Sequence, residues 1–338
     1  MTGQALVRDP GGLPGYPAIC QVKGFFPGTG EETSDRCGEW QGHVALCSGS
    51  GTKHPVIKFQ YSCHKLSCPT CYSGTLVRNA KSAAQRVDGY RKALAAEQST
   101  LDGVRGSRPR SPRHIIFSPP AVVVNGIIEK VTRWLSKPEN LNESLESEFI
   151  RRFRQSVYEA AEASGLDGAG VIIHLFRTTP RAKKLHNESG SDLRIWDWIR
   201  HREDLQDLIR FSPHAHLKAY GSMRPSKGFY EESGGWVYRN LGDVYNLEGL
   251  LVYLLGHTQL IRERVSITYW GCLHSKRLKC TKTEPVKEEV VCEECGAVMV
   301  HGRLHPETEA LEELTDRPFR RRVVLRTYQV VRPPPVTS

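Results

Sequence analysis

The chain has 338 residues, enough to bury a sizeable core and to form two or three domains. Its 47 Lys and Arg exceed its 37 Asp and Glu, for a net charge of +10, which points to a polyanionic partner, most simply nucleic acid. Residues 1–19 hold no apolar stretch of the secretory type, and the longest apolar run, 250–255, is far too short to cross a bilayer. The expectation is a cytoplasmic protein with no membrane partner.

The ten cysteines in such a chain favour metal over disulfides. Six precede residue 72 and four follow residue 271, so the simplest organisation is two metal modules flanking a cysteine-free domain. The boundaries read as 1–109 (zinc-binding region, basic helix and linker), 110–271 (the central domain) and 272–338 (a zinc-ribbon-like module with a basic tail).

Residues 1–36 are rich in Gly and Pro and read as loop. A strand-like stretch at 56–61 leads to Cys63, Cys68 and Cys71, and the Cys68-Pro-Thr-Cys71 knuckle aims two thiolates at one tetrahedral ion. Cys63 is a third zinc ligand, and the fourth comes from Cys47, the one assigned, or from Cys37. Residues 73–97, rich in Ala, Lys and Arg and free of Pro, predict a helix. A Gly/Ser/Pro/Arg linker covers 98–113. Residues 114–118 predict a strand stopped by Pro119-Pro120. Leu145, Phe149, Phe153 and Val157, four apart, form the apolar stripe of a long helix. Residues 171–176 are apolar on both faces and predict a central strand, interrupted only by His174. Residues 178–210 read as a polar insertion. Asn246 caps a helix over 247–257 that buries Leu247, Leu251, Leu254 and Leu255 and carries Tyr253 and His257 on another face. Cys280, Cys292 and Cys295, with Cys272 or His301 completing the set and Cys272 the one assigned, resemble a small zinc ribbon. Arg320-Arg-Arg322 and Pro333-Pro-Pro335 read as an extended basic tail.

The most informative stretch is Ser212-Pro-His-Ala-His216-Leu-Lys-Ala-Tyr220. On a strand, His214, His216, Lys218 and Tyr220 share one face, and Ala215, Leu217 and Ala219 share the other. Two imidazoles so placed can bind a divalent ion, although an isolated His-x-His pair is more often simply packed or solvated.

Taken with Cys68-Pro-Thr-Cys71, Arg113-His-Ile-Ile-Phe-Ser-Pro-Pro120 and Tyr253-Leu-Leu-Gly-His257, this stretch resembles the HUH endonuclease superfamily, in particular the rolling-circle replication initiators of archaeal plasmids and viruses. The resemblance spans about residues 37–300. It implies an α+β fold in which a central antiparallel sheet, with helices against one face, is flanked by the zinc modules. It also implies that His214 and His216 bind Mn or Mg and that Tyr253 attacks a DNA phosphodiester. His174 is the candidate third ligand, with a packed histidine as the equal alternative. His257 stands where relatives carry lysine, and would take the phenolic proton or contact the phosphate. Ala215 replaces the usual bulky residue between the histidines, and Tyr245 lies outside the spacing of two-tyrosine relatives, so one nucleophile is expected. Arg113, Arg177 and Lys218 are the expected DNA contacts. The implied activity is nicking and rejoining of single-stranded or hairpin origin DNA through a 5′-phosphotyrosine, with host helicase and polymerase as partners. A single-strand transposase with the same residues, or a non-catalytic zinc-dependent regulator, are the alternatives.

Overall fold

The computed structural model describes residues 26–31, 34–48, 57–99, 111–140, 144–200, 202–261, 264–265, 267–304, 311–323 and 326–331. The expectations for residues 1–25, for most of the 98–113 linker and for Pro333-Pro-Pro335 lie outside them. No helix among the described residues is long and apolar enough to cross a membrane.

The chain forms two compact units, one of Met1–Glu31, Lys65–Lys279 and Tyr328–Ser338, the other of Glu32–His64 and Cys280–Thr327. The three consecutive domains expected from the sequence are therefore corrected: the two cysteine-bearing ends contribute to a common unit. Strand pairing is the reason. Trp40–Cys47 lies antiparallel between Ile57–Gln60 and Met299–Leu304, with Ala45 opposite His301 and Cys47 opposite Met299. Leu311–Pro318 extends this sheet on the far side of Met299–Leu304. A second ladder in the same unit joins Val286–Glu289 to Arg320–Val323, so part of the expected basic tail is paired strand, with Arg320 bound to Glu289 at 2.9 Å.

In the first unit the elements run α1 (Tyr72–Ser99), β1 (Arg113–Ser118), α2 (Ala121–Leu135), α3 (Leu145–Ala163), β2 (Leu166–Thr178), α4 (Pro180–Ser189), α5 (Ile195–Arg200), α6 (Leu205–Leu208), β3 (Ile209–Gly221), α7 (Ser226–Glu232), β4 (Val237–Asp243), α8 (Leu247–Gly256) and β5 (Ile267–Gly271). The five strands make an antiparallel sheet in the order β4-β1-β3-β2-β5, so the His-x-His strand lies between β1 and β2.

Alternation along the strands divides the core. Ile115, Phe117, Val171, Ile173, Leu175, Ala215, Leu217 and Ala219 face a cluster with Val124, Ile127 and Val131 of α2 and Phe149, Phe153 and Val157 of α3. Phe149 and Phe153 are fully buried and stacked at 5.8 Å, and truncating either to alanine would cost about 3–5 kcal/mol. Ser144 caps α3, its Oγ accepting from the Ser147 amide at 3.2 Å. Helix α2 has no counterpart in the sequence reading. Its Val122-Val-Val124 run is a weak helix former, and burial of one α2 face against the sheet outweighs that preference.

The opposite sheet face is also covered, which corrects the expectation of helices on one face only. Leu76, Ala80 and Ala83 of α1 pack with Ile172 and with Leu251, Leu254 and Leu255 of α8, while Val87 and Tyr90 pack with Tyr220. Ile172 of β2 and Tyr220 of β3 on this side are buried by that cover. Residues 178–210, expected as a polar insertion, form α4 to α6 and bury Ala182, Ile199, Leu205 and Leu208.

Candidate metal and nucleophile site

The covered face that α8 meets is where the histidines lie. His174 of β2 is directly opposite His214 of β3, and His216 is opposite Ile172. Facing residues of an antiparallel pair point to the same side, so the register brings three imidazoles together. Their ring centroids are 4.6 Å (His174–His216), 5.1 Å (His214–His216) and 5.3 Å (His174–His214) apart, and one nitrogen of each lies within 4.8 Å of the others. All three are buried.

Hydrogen bonds define which nitrogens remain. His174 Nε2 donates to the Leu254 carbonyl at 3.1 Å, and His214 Nδ1 donates to the Ser212 carbonyl at 2.9 Å. A carbonyl only accepts, so in the neutral rings His174 Nδ1 and His214 Nε2 keep their lone pairs. His216 Nδ1 lies 2.9 Å from His114 Nε2 on β1, and when it donates there its Nε2 is likewise free. Outward hydrogen bonds that orient an imidazole and leave the inner nitrogen basic are the pattern of a metal-binding histidine. Burial reinforces neutrality: it pushes His174 and His216 well below the ordinary imidazole range and His214 down to about 3. The donor set therefore fits a divalent ion without needing to lose protons.

Helix α8 brings the tyrosine. Asn246 Oδ1 accepts from the Gly249 amide at 2.8 Å, capping the helix as its sequence predicts. The Tyr253 ring is 4.7 Å from that of His257, which is in turn 4.3 Å from that of His174. Burial raises the Tyr253 phenol above its ordinary pKa, opposed by the nearby Arg194 and reinforced by Asp197. Among the described residues the Tyr253 hydroxyl makes no hydrogen bond. Tyr245, by contrast, is 93% exposed in the turn before α8.

His257 does not have the setting expected for a phosphate contact. It is buried, its Nδ1 donates to the Tyr253 carbonyl at 2.7 Å, and Trp196 stacks on it at 4.9 Å. Burial holds its pKa down to about 3, so it is uncharged near neutrality. It is also outside the group of three imidazoles whose nitrogens converge.

The expected DNA contacts divide. Lys218 is 0% exposed and its ammonium has no partner among the described residues, so it is corrected from a DNA contact to a buried group. Burial pushes its pKa down to about 6. Arg177 is partly buried, with Nη2 donating to Ser118 Oγ at 2.9 Å. Arg113 opens β1, opposite Ala219 and Asp243.

The cysteine assignments change as well. Cys47 stands with Cys292 and Cys295, their sulfurs within 4.8 Å of one another and those of Cys47 and Cys295 3.3 Å apart. It therefore does not belong with Cys63, Cys68 and Cys71. The Cys292–Cys295 turn closes through Gly296, whose amide donates to the Cys292 carbonyl at a φ of +73°, a conformation glycine adopts without strain. Cys272 is in the first unit, packed beside Tyr90 and Tyr220, where burial raises its thiol to about 11. Cys280 is exposed on the strand Leu278–Lys282. Neither joins a metal-competent group among the described residues. Cys68 and Cys71 are buried at the start of α1, where the Tyr72 and Thr75 amides donate to their carbonyls.

Four residues around the site carried no functional reading in the sequence: His114, Trp196, Arg194 and Gln259. Gln259 is buried and its Oε1 accepts from the Leu175 amide at 2.7 Å beside His174. His114 lay inside a strand motif, and only the pairing of β1 with β3 brings it beside His216. Trp196 and Arg194 had none, because they reach the site from the 178–210 segment through tertiary packing. Comparison of the chain with protein-family models, with curated proteins and with solved structures finds no match to any of them.

Proposed function

We propose that the chain is a single-tyrosine, divalent-metal-dependent DNA endonuclease and strand transferase of the HUH type, acting as a rolling-circle replication initiator on single-stranded or hairpin origin DNA. The observation that carries this reading is the convergence of three neutral imidazoles beside the helix that bears Tyr253. A regulator needs neither a desolvated three-histidine donor set nor a tyrosine two rings away from it. The net charge of +10 fits a polyanionic substrate.

His174, His214 and His216 would hold a divalent ion, which would offset the negative charge that develops on the phosphate under attack. Three neutral nitrogen donors suit Mn better than Mg, which prefers oxygen. The Tyr253 oxygen forms a bond to phosphorus and the bond to the 3′ oxygen breaks. The phenolic proton is lost to solvent and the 3′ oxygen leaves as a hydroxyl. The 5′-phosphotyrosine that results retains the bond for rejoining, and the free 3′ end can prime synthesis. Holding His257 against Trp196, with its Nδ1 on the Tyr253 carbonyl, fixes the last turn of α8 and hence the direction of the phenol.

The cysteines are proposed as structural zinc ligands: Cys47, Cys292 and Cys295 form one set, and the Cys68-Pro-Thr-Cys71 knuckle supplies a second pair of thiolates. The test of function is to incubate the protein with 3′-labelled single-stranded DNA and Mn and look for a denaturation-resistant adduct. Its absence over a panel of hairpin and linear substrates refutes the proposal.

A further inference from the structure

We propose that Arg194 is the catalytic cation at the nucleophile, binding the attacked phosphate as the Tyr253 oxygen approaches it. The inference rests on the endonuclease reading above. A phosphodiester under attack gains negative charge on its non-bridging oxygens, and a positioned guanidinium with two parallel donors suits it. Among the described residues, the other cations placed at or near the site are committed or shielded. His257 is buried and neutral, and Lys218 is wholly enclosed. Arg177 is bound to Ser118, and Arg200 donates to the Gly256 carbonyl at 2.6 Å, to Tyr72 Oη at 2.9 Å and to Asp197 at 3.0 Å. Arg194 alone of this group is exposed, and its guanidinium carbon lies 5.1 Å above the Tyr253 ring. Among the described residues its guanidinium forms no hydrogen bond or ion pair.

Its placement is built rather than incidental. Arg194 directly precedes α5, and its carbonyl accepts from the Trp198 amide at 2.9 Å. Trp196 then stacks on His257, and Arg200 at the far end of α5 grips the last carbonyl of α8. Two contacts one turn apart thus lock α5 to the C-terminal end of α8, and Arg194 projects from the locked segment over the phenol. Asp197, the acid whose charge reaches Tyr253, is paired with Arg200 at 3.0 Å. The segment that brings the cation is distinct from the strands that bring the imidazoles, so metal and arginine address the phosphate from separate supports.

The experiment measures single-turnover adduct formation with Mn and 3′-labelled single-stranded DNA, alongside DNA binding in a Tyr253→Phe background. Arg194→Ala should lower the rate at saturating DNA by about 10²–10³-fold, the scale for losing one positioned donor, with binding changed only a few-fold. Arg194→Lys should recover part of the rate. A rate within twofold of the parent overturns the proposal, and so does a loss of binding that fully accounts for the rate. Should Arg194→Ala fail to fold, Arg194→Gln keeps the chain length without the charge, and full activity in that variant overturns the proposal. If the parent protein itself forms no adduct, the endonuclease reading fails first and this inference falls with it; if the parent is active and the variants equal it, only Arg194 is refuted.

Discussion

Replacing Lys218 with methionine should stabilise this protein. Lys218 sits on β3 opposite His114 and Gly170, fully enclosed, with an ammonium that meets no hydrogen-bond partner among the described residues. Burial lowers its pKa from 10.5 to about 6. The folded state must then release a proton that the unfolded chain keeps. At pH 7 that costs about 4 to 5 kcal/mol, from 1.36 kcal/mol per pH unit between neutrality and the unfolded pKa. Because the folded pKa is depressed, the unfolded chain binds the extra proton between about pH 6 and 10, and stability rises with pH across that window by about 1.4 kcal/mol per unit. Lys218→Met keeps most of the volume and removes the charge, so its advantage should be largest near pH 6 and vanish near pH 10. Urea unfolding of both proteins at intervals over this range, without added divalent cation, measures the difference directly. A methionine variant less stable than the parent at pH 7, or a difference that does not change with pH, refutes the reasoning and means the ammonium is paired.

The buried histidines set an acid limit. Burial holds His114, His214 and His257 at about 3 and His174 and His216 well below the ordinary range, so the unfolded chain binds more protons below about pH 6.5 and stability should fall steeply as pH drops through that window; a flat circular-dichroism profile from pH 7 to pH 4 contradicts this. His216→Ala should reduce Mn affinity by at least tenfold in calorimetry and nicking by several orders of magnitude, with much smaller loss of single-strand binding. Tyr253→Phe removes one oxygen and should leave the fold and DNA binding intact while abolishing the adduct; an adduct that persists transfers the nucleophile to another tyrosine. Cys292→Ser should lower zinc content by about one ion per chain, whereas Cys272→Ser and Cys280→Ser should leave it unchanged in elemental analysis.

Much of the site is local in the chain and therefore legible in it. The parity of His214 and His216, the cap at Asn246, the apolar stripe of α3 and the Cys292–Cys295 turn each depend on neighbours within a few residues. Strand alternation and helical period show such features directly. Register is a different matter. That His174 faces His214 follows from the pairing of β2 with β3, and a shift by one residue would send it to the opposite sheet face. The sequence left it evenly between ligand and packed histidine for that reason. The partner of Cys47 was decided by the pairing of Trp40–Cys47 with Met299–Leu304, some two hundred and fifty residues away, which periodicity cannot reveal. Lys218 read as a DNA contact because its strand face also carries the histidines, and only the cover of α1 and α8 over that face shows it to be enclosed. Arg194 and Trp196 reach Tyr253 and His257 because α5 docks on α8, a contact formed by the Arg200 grip on the Gly256 carbonyl. Local pattern determined which residues carry the chemistry; long-range pairing and packing decided which of them meet.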